Sequence, residues 1–451
     1  MLYLYCLLFL SFFINIVFVS PALSYFIGIL AFFCWVLSIK GCNNLFRTIS
    51  IIFFGIGLLV SFLEERSIAE LPLYMTSTIP LLAVFFVLPF INSIIIVGRY
   101  DQQVSKLLQL RIHNLGQLFG RAAIVTSLLG GFLNLATLPL VKAVLKKNIS
   151  QLTLNLQNKF ISQAILRGYV LSLIISPMEL LIILTVENTH ISYLQYLPWL
   201  VLFTIILLVL TWLIGIKSYK KITLDGSSND HHYAEANQLS LNLKRKIVSL
   251  LFYLFLFMIT ILSVHTLLNI GFLQTIAIII IPFSVLWAIS IKRFKSYVKY
   301  SIPLWKVRTY GLKNNMVLFL GVAFFTSNLG DSHFINYLQE PFTSLSQYPV
   351  MLFLCIQLLF LFLALIGFHP LVTISILFEI IEPIIASLNP ISVGLVLITS
   401  GLSTTVAGPF NVSVSLTGTL LQINPYRVSL WNMGYALLFS SVGTIIALWL
   451  L

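Results

Sequence analysis

The chain has 451 residues, of which 59% are hydrophobic and 9% charged, with 26 Lys and Arg against 13 Asp and Glu. A water-soluble fold carries about a quarter of its residues as charges, so a soluble enzyme is excluded, and the same figures exclude disorder. The net charge of +13 does not point to nucleic acid. The basic residues sit in short loops between apolar runs, where Lys and Arg mark the cytoplasmic face of a polytopic α-helical membrane protein.

In chain order, apolar runs over 2–19, 25–39, 48–63 and 79–97 predict four membrane helices. No basic region precedes the first, so it is expected to stay as a membrane helix and not to be cleaved as a signal peptide. With the N-terminus cytoplasmic, Lys40 and Arg47 fall inside, and Glu64, Glu65 and Glu70 fall outside. The run over 121–145 decides everything after it. Crossing straight, it would carry Lys142, Lys146, Lys147 and Lys159 outside. Its centre, Gly130 to Pro139, reads GGFLNLATLP, a composition that breaks a helix. A re-entrant hairpin with both ends inside is therefore expected, its arms about 15–18 Å long at 1.5 Å per residue. Its tip is tolerated in the membrane only where it lines a protein cavity.

The run over 160–186 then crosses outward, broken at Ser176-Pro177, and 194–216 returns. The basic stretch from Lys217 to Lys246, including His231-His232, is expected to be a solvated cytoplasmic linker. Runs over 247–264, 272–291 and 314–329 cross in turn, with a basic loop from Lys292 to Lys313 between the last two. A second interrupted run, 350–381, holds Gly367-Phe368-His369-Pro370 and reads as a hairpin entering from outside. The run over 391–421, broken at Gly408-Pro409, crosses inward, and 430–451 exits. Threaded so, every Lys and Arg except Arg66 and Arg167 lies inside. The expected fold is an all-α polytopic membrane protein of about eleven transmembrane helices and two opposed re-entrant hairpins. The location that follows is a bacterial plasma membrane, with the N-terminus cytoplasmic and the C-terminus outside.

The two halves repeat. Pro139-Leu140-Val141 recurs as Pro370-Leu371-Val372, 231 residues on; Pro177 recurs as Pro409 and Trp199 as Trp431, both at 232. An odd number of crossings separates equivalent helices, so the repeats are inverted. The chain thus divides into an extra helix (1–21), a first repeat (22–216), a linker (217–246) and a second repeat (247–451). Inverted repeats with discontinuous helices are the build of secondary transporters, whose substrate site lies at the midplane.

Asn134 and Thr137 at the first tip, with Ser403, Thr404, Thr405, Asn411 and Ser413 around the second break, complete a pattern that resembles the ion transporter superfamily. That superfamily includes the divalent anion/sodium symporters, which carry Ser-Asn-Thr clusters at tips and breaks. The resemblance spans about residues 22–451 and rests on architecture more than on motif. Neither hairpin has an intact Ser-Asn-Thr, and His369 occupies the second tip. It implies a substrate site from Asn134, Thr137, Ser176, His369, Ser403, Thr404, Asn411 and Arg167, and a coupling-ion site at Glu179 and Ser413.

The residues themselves leave alternatives open. Glu179, two after Pro177, aligns with Asn411, two after Pro409. An acid at a mid-membrane break either carries a coupling proton or cation, or satisfies the broken backbone. Arg167 binds an anion, neutralises Glu179 or snorkels to the surface. His369 accepts a proton or caps a helix. Asn134 and Thr137 meet either a substrate or the hairpin's own carbonyls, and the hydroxyls near Ser403 and Ser413 either ligate Na⁺ or pack helices.

The four cysteines (Cys6, Cys34, Cys42, Cys355) lack metal-ligand spacing, so no metal is expected. No cofactor is expected either, and Na⁺ enters only as a coupling ion. Expected partners are a small-molecule or ion substrate and membrane lipid, with no nucleic acid, and a homodimer is left open. With no GxxxxGK[ST] loop, ATP is not the driver within this chain. The leading reading is an H⁺- or Na⁺-coupled transporter of an organic or inorganic anion, and not an enzyme. The rival is a cell-envelope polysaccharide polymerase or lipid-linked sugar flippase, which would need a large outer loop with catalytic Arg or His. Here the outer loops are short and nearly free of Arg. A scaffold or sensor explains the repeat poorly.

Overall fold

A computed structural model describes residues 1–100, 114–219, 222 and 241–451. The His231-His232 pair and most of the linker, like Lys106 and Arg111 before the first hairpin, lie outside the described residues. Nine helices among the described residues are long and apolar enough to cross a membrane. The helices are α1 (Leu2–Phe18), α2 (Pro21–Ile39), α3 (Asn44–Leu63), α4 (Ile79–Val97), α5 (Leu115–Leu133), α6 (Thr137–Asn148), α7 (Leu154–Leu173), α8 (Leu180–Thr189) and α9 (Tyr193–Tyr219). They continue as α10 (Leu241–Leu268), α11 (Phe272–Ser290), α12 (Phe294–Gly311), α13 (Lys313–Gly330), α14 (Ile335–Leu345) and α15 (Pro349–Ile366). The last four are α16 (Pro370–Ser387), α17 (Pro390–Ala407), α18 (Val412–Leu421) and α19 (Pro425–Trp449).

The described residues form an all-helical integral membrane protein in which two hairpins interrupt the spans. One expectation is corrected locally. The stretch expected as a basic loop from Lys292 to Lys313 is helical, as α12. Its apolar residues recur at helical spacing among the lysines, which makes a helix that can lie on a surface. A second short helix, α14, follows Asp331 in the connection to α15.

The chain divides into two compact units, each drawing on both halves of the sequence. One comprises Met1–Gly98, Leu256–Gln347 and Ser375–Ser387; the other comprises Arg99–Phe255, Tyr348–Ile374 and Leu388–Leu451. In the first unit α3 and α13 run parallel. At one end Asn43 N–H donates to Asn314 Oδ1 at 2.8 Å. At the other, Arg66 approaches Asp331 at 3.5 Å and Glu64 accepts from the backbone N–H of His333 at 2.9 Å. Between them Trp35 donates to Ser50 Oγ (2.8 Å), and Ser50 passes its own proton to the Val317 carbonyl (2.6 Å).

The second unit holds the breaks, and the sequence there makes the helices stop where they do. Asn114, Asn389, Asn411 and Asn424 each cap a helix start by accepting a backbone N–H two or three residues on. In the first hairpin α5 climbs beside α7. A Cβ on Gly168 would stand 2.6 Å from the Ala123 carbonyl, and one on Gly130 would collide with Ser172 Oγ. The chain then reverses at Asn134 (φ 50°) and descends as α6, ending six residues before α7 begins. Both ends of the hairpin therefore lie at the level where α7 starts. The first arm starts at Leu115 and has 19 residues, longer than the arms expected from sequence.

The second hairpin repeats the construction. α15 climbs beside α17, with Phe360 near Gly401 and Ala364 near Gly408. Gly367 (φ 110°) turns the chain in a conformation that glycine adopts without strain, and α16 returns to the start of α17. The two broken helices are antiparallel. Arg427 donates to Asn155 at one end (3.0 Å), and Tyr196 donates to the Pro390 carbonyl at the other (3.2 Å). The hairpins are accordingly opposed.

Close helix approach at glycine sets the first prediction. Gly168→Val would drive a branched side chain into the Ala123 carbonyl, and such overpacking costs about 1–3 kcal/mol. The thermal unfolding midpoint of the purified chain is expected to fall. A second prediction concerns the outer contacts. The His333 N–H holds the Glu64 carboxyl below the usual carboxylate range. A depressed pKa contributes stability that is present above the ordinary value and lost as pH falls through the lowered one. The protection of the His333 amide, measured against its intrinsic exchange rate at each pH, should therefore fall on acidification, and Glu64→Gln should remove that pH response.

Candidate functional site at two crossed helix breaks

The repeat is closest in register at the breaks. α8 begins one residue after Glu179 and α18 one after Asn411; the two helices end at Thr189 and Leu421, and α9 and α19 begin at Tyr193 and Pro425. Each of these pairs is separated by 232 positions. Both short helices close on a left-handed residue, His190 (φ 56°) and Gln422 (φ 57°). α7 and α17, which lead into the breaks, are buried on every face over 160–173 and 392–407. Broken backbone survives in a bilayer only where protein surrounds it, and these segments meet that condition.

At the first break Ser176, 9% exposed, accepts from the Met178 N–H at 3.4 Å. Glu179 is the N-cap of α8, and its carboxylate faces the N–H groups of Leu181 and Leu180. An anion there is stabilised by the positive end of the helix dipole. Glu179 itself remains half-buried. The tip of the first hairpin stands beside this break. Tyr169 donates a short hydrogen bond to Asn134 Oδ1. Thr137 Oγ1 is buried and has no partner. A buried hydroxyl without a partner costs about 1–3 kcal/mol, so Thr137 is poised for a ligand or water.

The second break is built from neutral groups. Asn411 caps α18 by accepting the Ser413 N–H through its Oδ1, and the single hydroxyl proton of Ser413 goes to the Thr405 carbonyl at 2.5 Å, with Asn411 Oδ1 3.0 Å from the same oxygen. Ser403 donates to the Ser400 carbonyl and Thr404 to that of Gly401, both at 2.7 Å. These hydroxyls spend their protons on their own helix and keep lone pairs for a cation or water. Ser400 Oγ is buried and unpartnered. At the second tip His369 Nδ1 accepts from the Leu371 N–H at 3.3 Å and so caps α16.

The structure joins these groups into one region of the second unit. α8 packs on α17, where a Cβ on Gly401 would stand 3.1 Å from Leu181; α18 packs on both α6 and α7. Arg167 stands apart. Its Nε donates to Asn432 Oδ1 at 3.4 Å, and its guanidinium lies over the rings of Tyr435 (4.9 Å) and Phe119 (5.8 Å). It is 7% exposed, so it does not snorkel, and it makes no ion pair with Glu179. Sequence reasoning missed Tyr169, a single tyrosine in an apolar helix that belongs to no motif. Only its place one helical turn before the break gave a signal.

No family model matches the chain, and no curated protein matches its sequence. In structure the chain is similar to the YdaH transporter of Alcanivorax borkumensis, whose crystal structure is described as revealing an unusual topology. The TM-score is 0.58 at 14% identity, over 90% of this chain and 97% of that one. At that identity the likeness establishes the fold alone.

The surroundings of Arg167 give a prediction. Lysine keeps the charge but lacks the planar face and the fixed donors. Arg167→Lys is expected to destabilise the purified chain by about 2 kcal/mol, the scale of a desolvated cation–π contact, read as a lower unfolding midpoint without ligand. An unchanged midpoint would remove the structural role.

Proposed function

We propose that the chain is a secondary active transporter that moves an organic or inorganic anion by alternating access, coupled to H⁺ or Na⁺. The observation that carries this reading is the crossing of two antiparallel broken helices beside two opposed hairpin tips, with an acid at one break and an amide at the other. Four helix N-termini (α6, α8, α16 and α18) start at the tips and breaks, and their N–H groups suit an anion. Glu179 neutralises the start of α8 alone. The neutral ends of α16 and α18 keep their positive partial charge for a substrate. Within this reading Asn134, Thr137, Ser176, His369, Ser403, Thr404 and Asn411 contact substrate, and Glu179 with Ser413 serves the coupling ion. Arg167 acts by bracing α7 against α19.

The likeness to a solved transporter supports the class of activity, and the hairpin architecture supports membership of the ion transporter superfamily. No enzymatic step and no cofactor beyond a coupling ion is assigned.

Uptake into proteoliposomes, screened across a panel of carboxylates and inorganic anions under imposed proton or sodium gradients, tests the proposal. Wild-type protein is expected to accumulate at least one anion above the level of empty vesicles. Glu179→Gln should abolish gradient-driven accumulation while substrate exchange persists. Normal accumulation by Glu179→Gln under both gradients would make the acid structural, and no uptake of any anion by wild-type protein would remove the transporter reading.

A further inference from the structure

The helix α12 lies at the end of the first unit that carries Lys40 and Arg47. Its first turn is tied there by Arg293, which donates to the Val97 carbonyl at 3.1 Å. Just beyond its last turn Lys313 lies against Gly41. The sequence from Lys292 to Lys313 holds Lys292, Arg293, Lys295, Lys299, Lys306, Arg308 and Lys313, and no acid occurs between Glu235 and Asp331.

The helix has three distinct faces. At about 100° per residue Lys295, Lys299 and Lys306 fall within an arc of about 40°. All three are exposed, and both ion pairs among the described residues lie elsewhere. Along the axis they stand about 6 Å and about 10 Å apart. The face beside them is also exposed but apolar, with Tyr300 39%, Val307 68% and Tyr310 53% accessible. The remaining face is anchored. Tyr297, Ser301 and Thr309 are buried, and Trp305 packs on Phe86 at 5.3 Å and Phe90 at 6.0 Å.

A surface helix with a line of unpaired lysines above an exposed aromatic and aliphatic strip fits a membrane interface, the strip in the acyl boundary and the lysines at headgroup level. Two donors add to this. Trp305 Nε1 and Thr309 Oγ1, within one turn of Lys306, are buried and unpartnered. An oxygen-rich group entering beside Lys306 would supply the missing acceptors.

We propose that α12 is a binding surface for anionic phospholipid, whose phosphate groups are held by Lys295, Lys299 and Lys306 while Tyr300, Val307 and Tyr310 contact the acyl chains. This surface is independent of the transport site. Each lysine near a charged membrane surface contributes about 1 kcal/mol, or about fivefold in affinity, and the helix holds the three on a rigid frame.

The test uses the full chain in nanodiscs of mixed phosphatidylglycerol and phosphatidylcholine, with the phosphatidylglycerol retained after extraction counted by native mass spectrometry. The variant Lys295→Gln/Lys299→Gln/Lys306→Gln is expected to lose retention by up to about a hundredfold in affinity. The corresponding triple arginine variant should keep it, as should a control with Lys142→Gln and Lys146→Gln in the second unit. If the triple glutamine variant unfolds, Lys299→Gln alone is read, with about fivefold loss expected. Unchanged retention by these variants would overturn the proposal. So would equal loss in the control, which would mean a response to net charge, or complete displacement by inorganic phosphate, which would mean a free-anion site.

Discussion

Hydrocarbon offers no partner to a peptide group, and this one constraint explains more of the second unit than any side chain does. Two hairpins and two helix breaks interrupt the ladders that would otherwise satisfy the backbone. The burial of α7 and α17 on every face, the asparagine caps and the glycine contacts all follow from sheltering those interruptions. Gly130, Gly168, Gly401 and Gly408 sit where a side chain would separate helices whose approach excludes lipid from the breaks. Small residues serve membrane helices in this way because close packing, not hydrophobic expulsion, holds them together.

Within this frame the two breaks have diverged while their backbones have not. The helices α8 and α18 have the same length and the same left-handed closure. One is capped by a carboxylate beside a tyrosine and a hairpin amide, and the other by an amide beside a serine. The matched backbones carry different chemistry, with Glu179 opposite Asn411 at the caps, Tyr169 opposite Gly401, and Leu181 opposite Ser413.

Much of the fold was legible because charge and proline carry strong physical signals. Lys142, Lys146 and Lys147 forced the first hairpin, and Pro177 with Pro409 marked breaks that the structure places at matched positions. The lysines of α12 misled for the same reason. Their density suggested a loop, while the apolar spacing that makes the segment a surface helix was hidden among them. At the site, Glu179 and Asn411 stood out as polar residues in apolar runs. The partners of Arg167 did not, since Asn432 and Tyr435 belong to a helix 265 or more residues away and no local pattern links them. Tyr169 was silent because a tyrosine in a membrane helix ordinarily means an interface anchor.

The burial of α17 and α18 also bears on how the protein is made. Within the stretch Pro390–Leu421 an 18-residue window has 94% of its residues buried, yet its mean hydropathy of 1.6 is among the lowest of the spans. Its serines and threonines donate within the segment, and Gly401, Gly408 and Thr399 pack on α8, α15 and α19. During synthesis this segment leaves the ribosome before α19 exists, so in isolation it enters the bilayer with little driving force of its own. Its stable insertion depends on α15 already waiting and on α19 arriving soon after. Membrane integration of the last quarter of the chain is thus a cooperative event, completed only when the final helix closes over the second break.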